Sequence, residues 1–195
     1  MSAGPSLGWH AYVDETESDS RLDPNTYMLA AAVGDTDNLG QTRNIMRELL
    51  QPGQRKLHWR DESDRRRHAI IEEVAGAPVE HLVVVYDGRQ GEQSERRRKQ
   101  CLKRLCYELD QMGVIRMVLE SRGPADDQRD WKMIDVLRAI KAVSSVLRMD
   151  HLPRPGGAAA VAADAVCGAM TRARTGEPAF VKTIESRLTI ISIGY

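Results

Sequence analysis

The chain has 195 residues, of which 42% are hydrophobic and 29% charged, a composition typical of a globular protein and not of a disordered or membrane-spanning one. Its 28 basic residues balance its 28 acidic ones, so no overall positive field attracts nucleic acid, and such a partner would need a local basic patch. Aromatic residues make up only 5%, which excludes a large stacking surface for single-stranded bases.

The cysteines and the N-terminal segment indicate the compartment. Cys101, Cys106 and Cys167 have neither the paired spacing of a disulfide framework nor that of a zinc site, so we expect three buried thiols in a reducing compartment. The N-terminal residues lack the basic-then-apolar pattern of a signal peptide. No apolar run reaches the roughly 20 residues of a membrane helix. These features predict a cytoplasmic protein.

Hydrophobic periodicity predicts a chain that begins with strands and continues with helices and strands in alternation. Residues 1–8 are predicted to be a flexible N-terminus, and residues 9–195 a single domain. The predicted strands cover residues 9–16, 27–33, 56–60, 81–86, 114–119, 146–152 and 188–193. The predicted helices cover residues 39–50, 64–75, 92–112, 128–143 and 158–175.

This order predicts an α/β fold with a mixed sheet of five or more strands, in which antiparallel N-terminal strands precede the alternating part. Ligands of such sheets usually bind at the carboxyl ends of the parallel strands. Acids follow several predicted strands, namely Asp14 with Glu15, Asp87, and Glu120. If these strands are neighbours, their carboxylates converge, and Asp87, Glu120 or Asp150 could complete a cluster around Asp14.

Asp164 is the most informative single residue, because it lies between apolar neighbours in Ala162-Ala163-Asp164-Ala165-Val166. A buried carboxylate without a partner costs several kcal/mol, so Asp164 is expected to have one. One alternative is a structural ion pair with an arginine or lysine. The other is a divalent metal shared with further acids, since Mg²⁺ and Mn²⁺ prefer oxygen ligands.

Two features suggest contacts with phosphate groups. His58 lies on the polar face of the predicted strand 56–60, where it could orient a carboxylate or a phosphate, or be an ordinary strand residue. The predicted helix 92–112 begins with a strongly basic segment, whose solvated face is the alternative to nucleic-acid binding. Its candidate contacts are Arg96, Arg97, Lys99 and Lys103.

Several short motifs resemble the bacterial domain of unknown function 3800, in an actinobacterial form. The first strand ends with Tyr12-Val13-Asp14-Glu15-Thr16, where that family typically has Asp-Glu-Ser. The late helix contains Ala163-Asp164-Ala165-Val166-Cys167-Gly168-Ala169, which is similar to the family's last motif. Residues 57–62 and 119–122 extend the resemblance over most of the chain. Thr16 replaces the usual Ser and Val161 a common Gln.

The resemblance implies an RNase H-like fold, with Asp14 and Asp164 as site residues and Glu15 and Glu120 as further members. By analogy with that fold, the first hypothesis is a metal-dependent phosphoryl-transfer enzyme, most simply a nuclease. Asp14, Asp164 and Glu120 would then hold Mg²⁺ or Mn²⁺, with Glu15 as an accessory group. The alternative is a non-catalytic RNase H-like module that binds protein or nucleic acid, with its acids paired to arginines. No Walker-type loop or Gly-x-Ser-x-Gly elbow supports another enzyme class.

Overall fold

The computed structural model describes residues 8–54, 57–153 and 160–194. The strands are β1 (Trp9–Glu17), β2 (Thr26–Gly34), β3 (Glu80–Asp87), β4 (Val114–Glu120), β5 (Arg148–Leu152) and β6 (Leu188–Gly194). The helices are α1 (Thr36–Glu48), α2 (Asp64–Gly76), α3 (Ser94–Gln111), α4 (Pro124–Ala139), α5 (Ala160–Arg174) and α6 (Ala179–Ile184). The flexible N-terminus predicted for residues 1–8 lies outside the described residues except for Gly8.

The six strands form one sheet in the order β5-β4-β1-β2-β3-β6. Only β2 runs against its neighbours β1 and β3, while the pairs β1–β4, β4–β5 and β3–β6 are parallel. The predicted mixed sheet is therefore confirmed. As a consequence, all strands except β2 point in the same direction, and their carboxyl ends lie along the same side of the sheet.

Helices cover both faces of this sheet, which explains why β2 and β3 are almost continuous apolar runs. On one face, residues such as Met28 and Val83 pack against α1, α2, α5 and α6. On the other face, residues such as Leu29 and Val84 pack against α3 and α4. All three cysteines are buried free thiols, as predicted. Across the described ranges, no helix combines the length and apolarity needed to span a membrane.

The predicted strand at residues 56–60 is wrong. Trp59–Asp61 forms a 3₁₀ turn instead, and Lys56 lies outside the described residues. The alternation of Leu57 and Trp59 is real, because both side chains are buried. Tertiary contacts of Trp59 determine the local conformation, and the alternating pattern alone could not reveal them.

Other boundaries differ for local reasons. Helix α4 begins at Pro124, four residues earlier than predicted, because proline is well suited to the first helical turn. Gly123 precedes it with a φ of 113°, a conformation that disfavours other residues. Helix α6 was not predicted, since its six residues are too few for a helical repeat to stand out.

The alternation of side chains along β1 separates its two adjacent acids. Ala11 and Val13 face α3 and α4, whereas Tyr12 faces the side of α5. With a period of two, Asp14 continues the α5 side and Glu15 the α3 side. The two carboxylates therefore have different surroundings although they are neighbours in the sequence.

His81, near the start of β3, is a histidine whose side chain is only 2% exposed. Burial lowers the pKa of its imidazole to about 4, from an ordinary value of 6.5. The folded protein thus keeps this histidine neutral under conditions where the unfolded chain protonates it.

We predict that the free energy of unfolding decreases as the pH is lowered, because His81 is buried in its neutral form. As the pH decreases from 6.5 towards 4, the unfolded chain gains a proton that the folded chain does not bind, and the free energy of unfolding drops by up to about 3 kcal/mol. Urea unfolding of a His81→Leu variant should lack this dependence over that range. The matched control, His58→Leu, removes an exposed histidine and should keep it. An unchanged pH dependence in His81→Leu would contradict the assignment.

Candidate active site

An acid-lined cleft lies at the carboxyl ends of β1 and β4. Val13 and Leu119 are register partners in these parallel strands, so Asp14 and Glu120 follow one residue later on adjacent strands. Both acids line a cavity of about 550 Å³. A second cavity of about 810 Å³ adjoins it, because both are lined by the segment Glu15–Glu17 and by His58 and Arg60. Asp164 lines this second cavity.

Asp14 occupies the α5 side of the β1 end. The backbone N–H of Glu15 donates a hydrogen bond of 2.8 Å to Asp14 Oδ1, which restricts the carboxylate's orientation. The Cys167 thiol on α5 donates to the backbone carbonyl of Asp14 at 3.6 Å. These contacts place the end of β1 directly against α5, the helix that carries Asp164.

Asp164 has a partner, as its apolar surroundings predicted, and one such contact comes from the peptide backbone. Its Oδ2 accepts a hydrogen bond of 3.0 Å from the backbone N–H of Trp59. The Trp59 ring packs over Gly168 of α5, where an added Cβ would lie 2.0 Å from the ring. Arg67 donates to the carbonyls of Trp59 and Arg60, at 3.1 and 3.0 Å. The 3₁₀ turn is thus fixed to α5 beside Asp164.

Cys167 is not a nucleophile of this site. It is buried, and its pKa is raised well above the ordinary value by that burial and by the negative charges of Asp14 and Asp164. The thiol therefore stays protonated, whereas a cysteine nucleophile must be a thiolate. Asp14 and Asp164 are far apart in the sequence, and the negative charges of both raise the pKa of this one thiol.

Glu15 is held on the opposite face by Arg98 of α3. Arg98 Nε lies 2.6 Å from Glu15 Oε2, and its two terminal nitrogens bind Asp130 of α4 at 2.6 and 2.9 Å. Only 2% of the Arg98 side chain and 4% of the Asp130 side chain are exposed. Burial together with the charge of Glu15 raises the pKa of Tyr27. The predicted accessory acid is thus part of an internal ion-pair network.

Two further residues complete this buried charge cluster. His151 of β5 lies 3.1 Å from Asp130, and Arg122 lies 3.7 Å from Glu15 and 2.8 Å from Glu95. Burial alone would raise the pKa of Asp130, but hydrogen bonds from His151 and Arg98 outweigh it and lower that pKa. Because Glu15 lies near the carboxyl end of β1 and Arg122 follows β4, the cluster joins the two strand ends that carry Asp14 and Glu120.

The basic segment of α3 is not a continuous basic surface. Arg97 is buried and binds Glu17 at 3.2 Å and the Pro24 carbonyl at 3.0 Å. The prediction that Arg97 contacts a partner from the surface is therefore wrong, because its guanidinium has an internal structural role. Arg96 is exposed but paired with Glu92, and Lys99 is exposed. Lys103 is half-buried, and a partner for these cations stays a prediction.

His58 and Arg60 stand at the boundary of the two cavities. Both side chains are exposed and line both cavities. Arg60 was not predicted as a site residue, because its position was interpreted as an ordinary polar strand position. The motif His58-Trp59-Arg60, with its central residue anchored, could have indicated that the flanking side chains point outward together.

The other acids considered for the cluster lie elsewhere. Asp87 ends β3 and pairs with Arg174 of α5 at 2.5 Å. Asp150 of β5 pairs with Arg116 at 2.6 Å and lines a separate cavity near Trp131. Of the three alternatives, the structure brings Glu120 to the cavity lined by Asp14.

The donor chemistry of the cleft suits a hard divalent cation, but the side chains do not form a complete cage. Within residues 8–54, 57–153 and 160–194, no three His, Cys, Asp or Glu side chains are grouped closely enough to hold a metal ion. Mg²⁺ usually keeps several waters and takes only one or two protein carboxylates together with substrate phosphates. Asp14, Asp164 and Glu120 fit such an open site and not a preformed three-ligand one.

Solved structures with a similar fold are nucleases. The Q54A mutant of Bst-RNase HIII matches with a TM-score of 0.54 and 13% identity, over 92% of this chain and 54% of that one. Bst-RNase HIII in complex with Mn²⁺ matches with a TM-score of 0.53 and 14% identity, over 93% and 55%. RNase HII in its PCNA complex from Archaeoglobus fulgidus matches with a TM-score of 0.51 and 17% identity, over 90% and 78%.

These likenesses show that the chain has the RNase H-like fold. At this level of identity they show the fold alone, and the chain spans about half the length of Bst-RNase HIII. No family model and no curated protein matches the sequence.

We predict that the Arg98 contacts are among the strongest single stabilising interactions of the fold. Arg98→Met should lower the free energy of unfolding by about 3–5 kcal/mol, because it leaves Asp130 buried without its charged partner. Arg104→Met is the matched control, since Arg104 lies on the same helix in a partly exposed pair with Glu108. It should cost less than about 1 kcal/mol in denaturant unfolding. Similar losses in the two variants would contradict this view of Arg98.

Proposed function

We propose that the chain is a divalent-metal-dependent phosphoryl-transfer enzyme of the nuclease type. The observation that carries the proposal is that Asp14 of β1 lines one of two adjoining cavities and Asp164 of α5 lines the other, with Cys167 of α5 hydrogen-bonded to the Asp14 carbonyl. The RNase H-like fold, which the chain shares with nucleases, supports it by analogy.

In this proposal Asp14 and Asp164 are the protein ligands of Mg²⁺ or Mn²⁺, and Glu120 positions the attacking water or completes the ligand set. When bound, the metal supplies Lewis acidity that activates water and neutralises charge on the phosphoryl oxygens. The chain's own contribution is orientation. The Glu15 N–H holds Asp14, and the Trp59 N–H holds Asp164.

Glu15 has a different role in this account. Its side chain is bound by Arg98, so we assign it to holding the β1 end and not to the primary ligand set. Because Glu15 is adjacent to Asp14 in β1, the Asp-Glu pair can have two roles at this strand end. One acid serves the cleft while the other fixes the strand that carries it.

We further propose that the substrate is a nucleic acid recognised through its backbone. His58 and Arg60 are exposed where the two cavities meet and could bind phosphate groups beside the carboxylates. The aromatic residues that line the cavities are Tyr27 and Trp59, which are buried and cannot stack on bases. The exposed cations Arg96 and Lys99 are candidate contacts farther along the strand.

We also propose that the chain is a member of the domain of unknown function 3800 family. The motifs around Asp14 and Asp164 that resemble this family lie at the cleft. Thr16, which replaces the family's usual Ser, also lines both cavities and keeps the hydroxyl. Val161 is 4% exposed in the core beside the sheet, so its departure from Gln is accommodated by apolar packing.

A non-catalytic RNase H-like binding module is the second candidate function. The ion pairs of Glu15 and the lack of a three-ligand group among the described residues favour it. In that case His58 and Arg60 would still bind a partner, but Asp14 and Asp164 would have only structural roles.

We predict metal-dependent cleavage of oligonucleotides that requires both aspartates. Single-stranded and duplex DNA, RNA and a DNA–RNA hybrid should be incubated with Mn²⁺ or Mg²⁺ and the products resolved by gel. Asp14→Asn and Asp164→Asn should each reduce the rate at least about a hundredfold, because even indirect partners of metal ligands contribute 10–100-fold. Asp150→Asn is the matched control and should retain wild-type activity, because Asp150 lies outside the cleft.

Two outcomes would count against the enzyme. Cleavage that survives both substitutions would come from a different site or a contaminant. No cleavage of any of the four substrates, together with metal-independent binding that Arg60→Gln weakens, would support the binding module instead.

A further inference from the structure

The two edges of the sheet differ in how they are protected. At one edge, β5 has five residues and carries Arg148, Asp150 and His151, and charged groups on a short strand discourage pairing with another chain. At the other edge, β6 has seven residues and carries neither a charge nor a proline. Its inner side pairs with β3, and no described residue pairs with its outer side.

The side chains of β6 are apolar or hydroxyl-bearing and only partly covered. Ile191 and Ile193 pack against the core on the α3 side, whereas Leu188 packs against the core on the α5 side. Thr189, Ile190 and Ser192 are exposed, with 45% of Ile190 accessible. An uncharged, β-branched strand at a sheet edge presents backbone groups and side chains that suit another strand.

We propose that β6 pairs with β6 of a second copy of this chain in antiparallel orientation. A two-fold axis perpendicular to the sheet keeps each side chain on its own face. Directly opposite residues of an antiparallel pair share a face, so the axis passes between the two copies of one residue. With Ile191 at the axis, Thr189 lies opposite Ile193 and Ile190 lies opposite Ser192. Cross-strand pairs of β-branched residues are favourable, and no like charges meet.

The symmetry and charge of β6 favour a second copy over other partners. An antiparallel two-fold contact uses the same strand from both copies and leaves no free β6 edge, so assembly stops at a dimer. The charged β5 edges remain outside and do not extend the sheet. A nucleic-acid partner is disfavoured because β6 offers no cation for phosphate groups. This inference does not depend on the proposed enzymatic activity.

The experiment is sedimentation velocity of the purified chain from micromolar to sub-millimolar concentration. The wild type should shift from one chain to two with rising concentration. The double variant Ile190→Lys/Ser192→Lys places lysines opposite one another across the pair and should remain monomeric. Val136→Lys/Ile140→Lys is the matched control at exposed positions on α4 and its C-terminal end, and it should dimerise like the wild type.

Circular dichroism checks that both double variants are folded. Hydrogen exchange of the wild type gives a second readout that needs no substitution, because amides of β6 should exchange more slowly as the dimer forms. A wild type that stays monomeric at all concentrations would overturn the proposal. So would a folded Ile190→Lys/Ser192→Lys variant that still dimerises, or β6 exchange that is independent of concentration.

Discussion

The buried guanidinium of Arg98 is the interaction on which the arrangement of the cleft depends. It joins Glu15 at the end of β1 to Asp130 of α4, and almost none of it is exposed. Such a charge is tolerated inside a protein only when its hydrogen-bonding groups are satisfied. Both carboxylates must therefore stay in place, and through Arg122 the end of β4 is held as well. The cleft is built on ends of strands that cannot separate freely.

The alternation of side chains along β1 gives the neighbouring acids Asp14 and Glu15 different surroundings. Because successive side chains of β1 point to opposite faces, Glu15 meets Arg98 while Asp14 meets the α5 side. Asp164 is oriented independently by the turn that Trp59 anchors on Gly168. The result is a set of carboxylates whose orientations come from surrounding contacts, which is the arrangement that an open metal site requires.

The sequence predicted the structure correctly where a hydrophobic pattern had a single explanation, namely burial. The apolar runs of β2 and β3 predicted buried strands, and the apolar neighbours of Asp164 predicted that its carboxylate has a partner. The pattern was misleading where tertiary contacts determine the local conformation. In the segment 56–60, the contacts of Trp59 favour a 3₁₀ turn over the predicted strand. The basic run of α3 predicts one basic surface, yet Arg98 lies three, four and seven residues before Cys101, Leu102 and Leu105, which are all buried. That spacing placed Arg98 on the apolar stripe.

The most direct test of the proposed metal ligands is anomalous diffraction from crystals soaked in Mn²⁺ with a bound oligonucleotide. If Asp14 and Asp164 are metal ligands, the wild type should show a manganese peak between them. The Asp14→Asn variant should lose that peak while the Arg98–Glu15 pair stays unchanged. A peak at a carboxylate away from Asp14, Asp164 and Glu120, or an empty cleft with oligonucleotide bound, would contradict the assignment of these two aspartates as metal ligands.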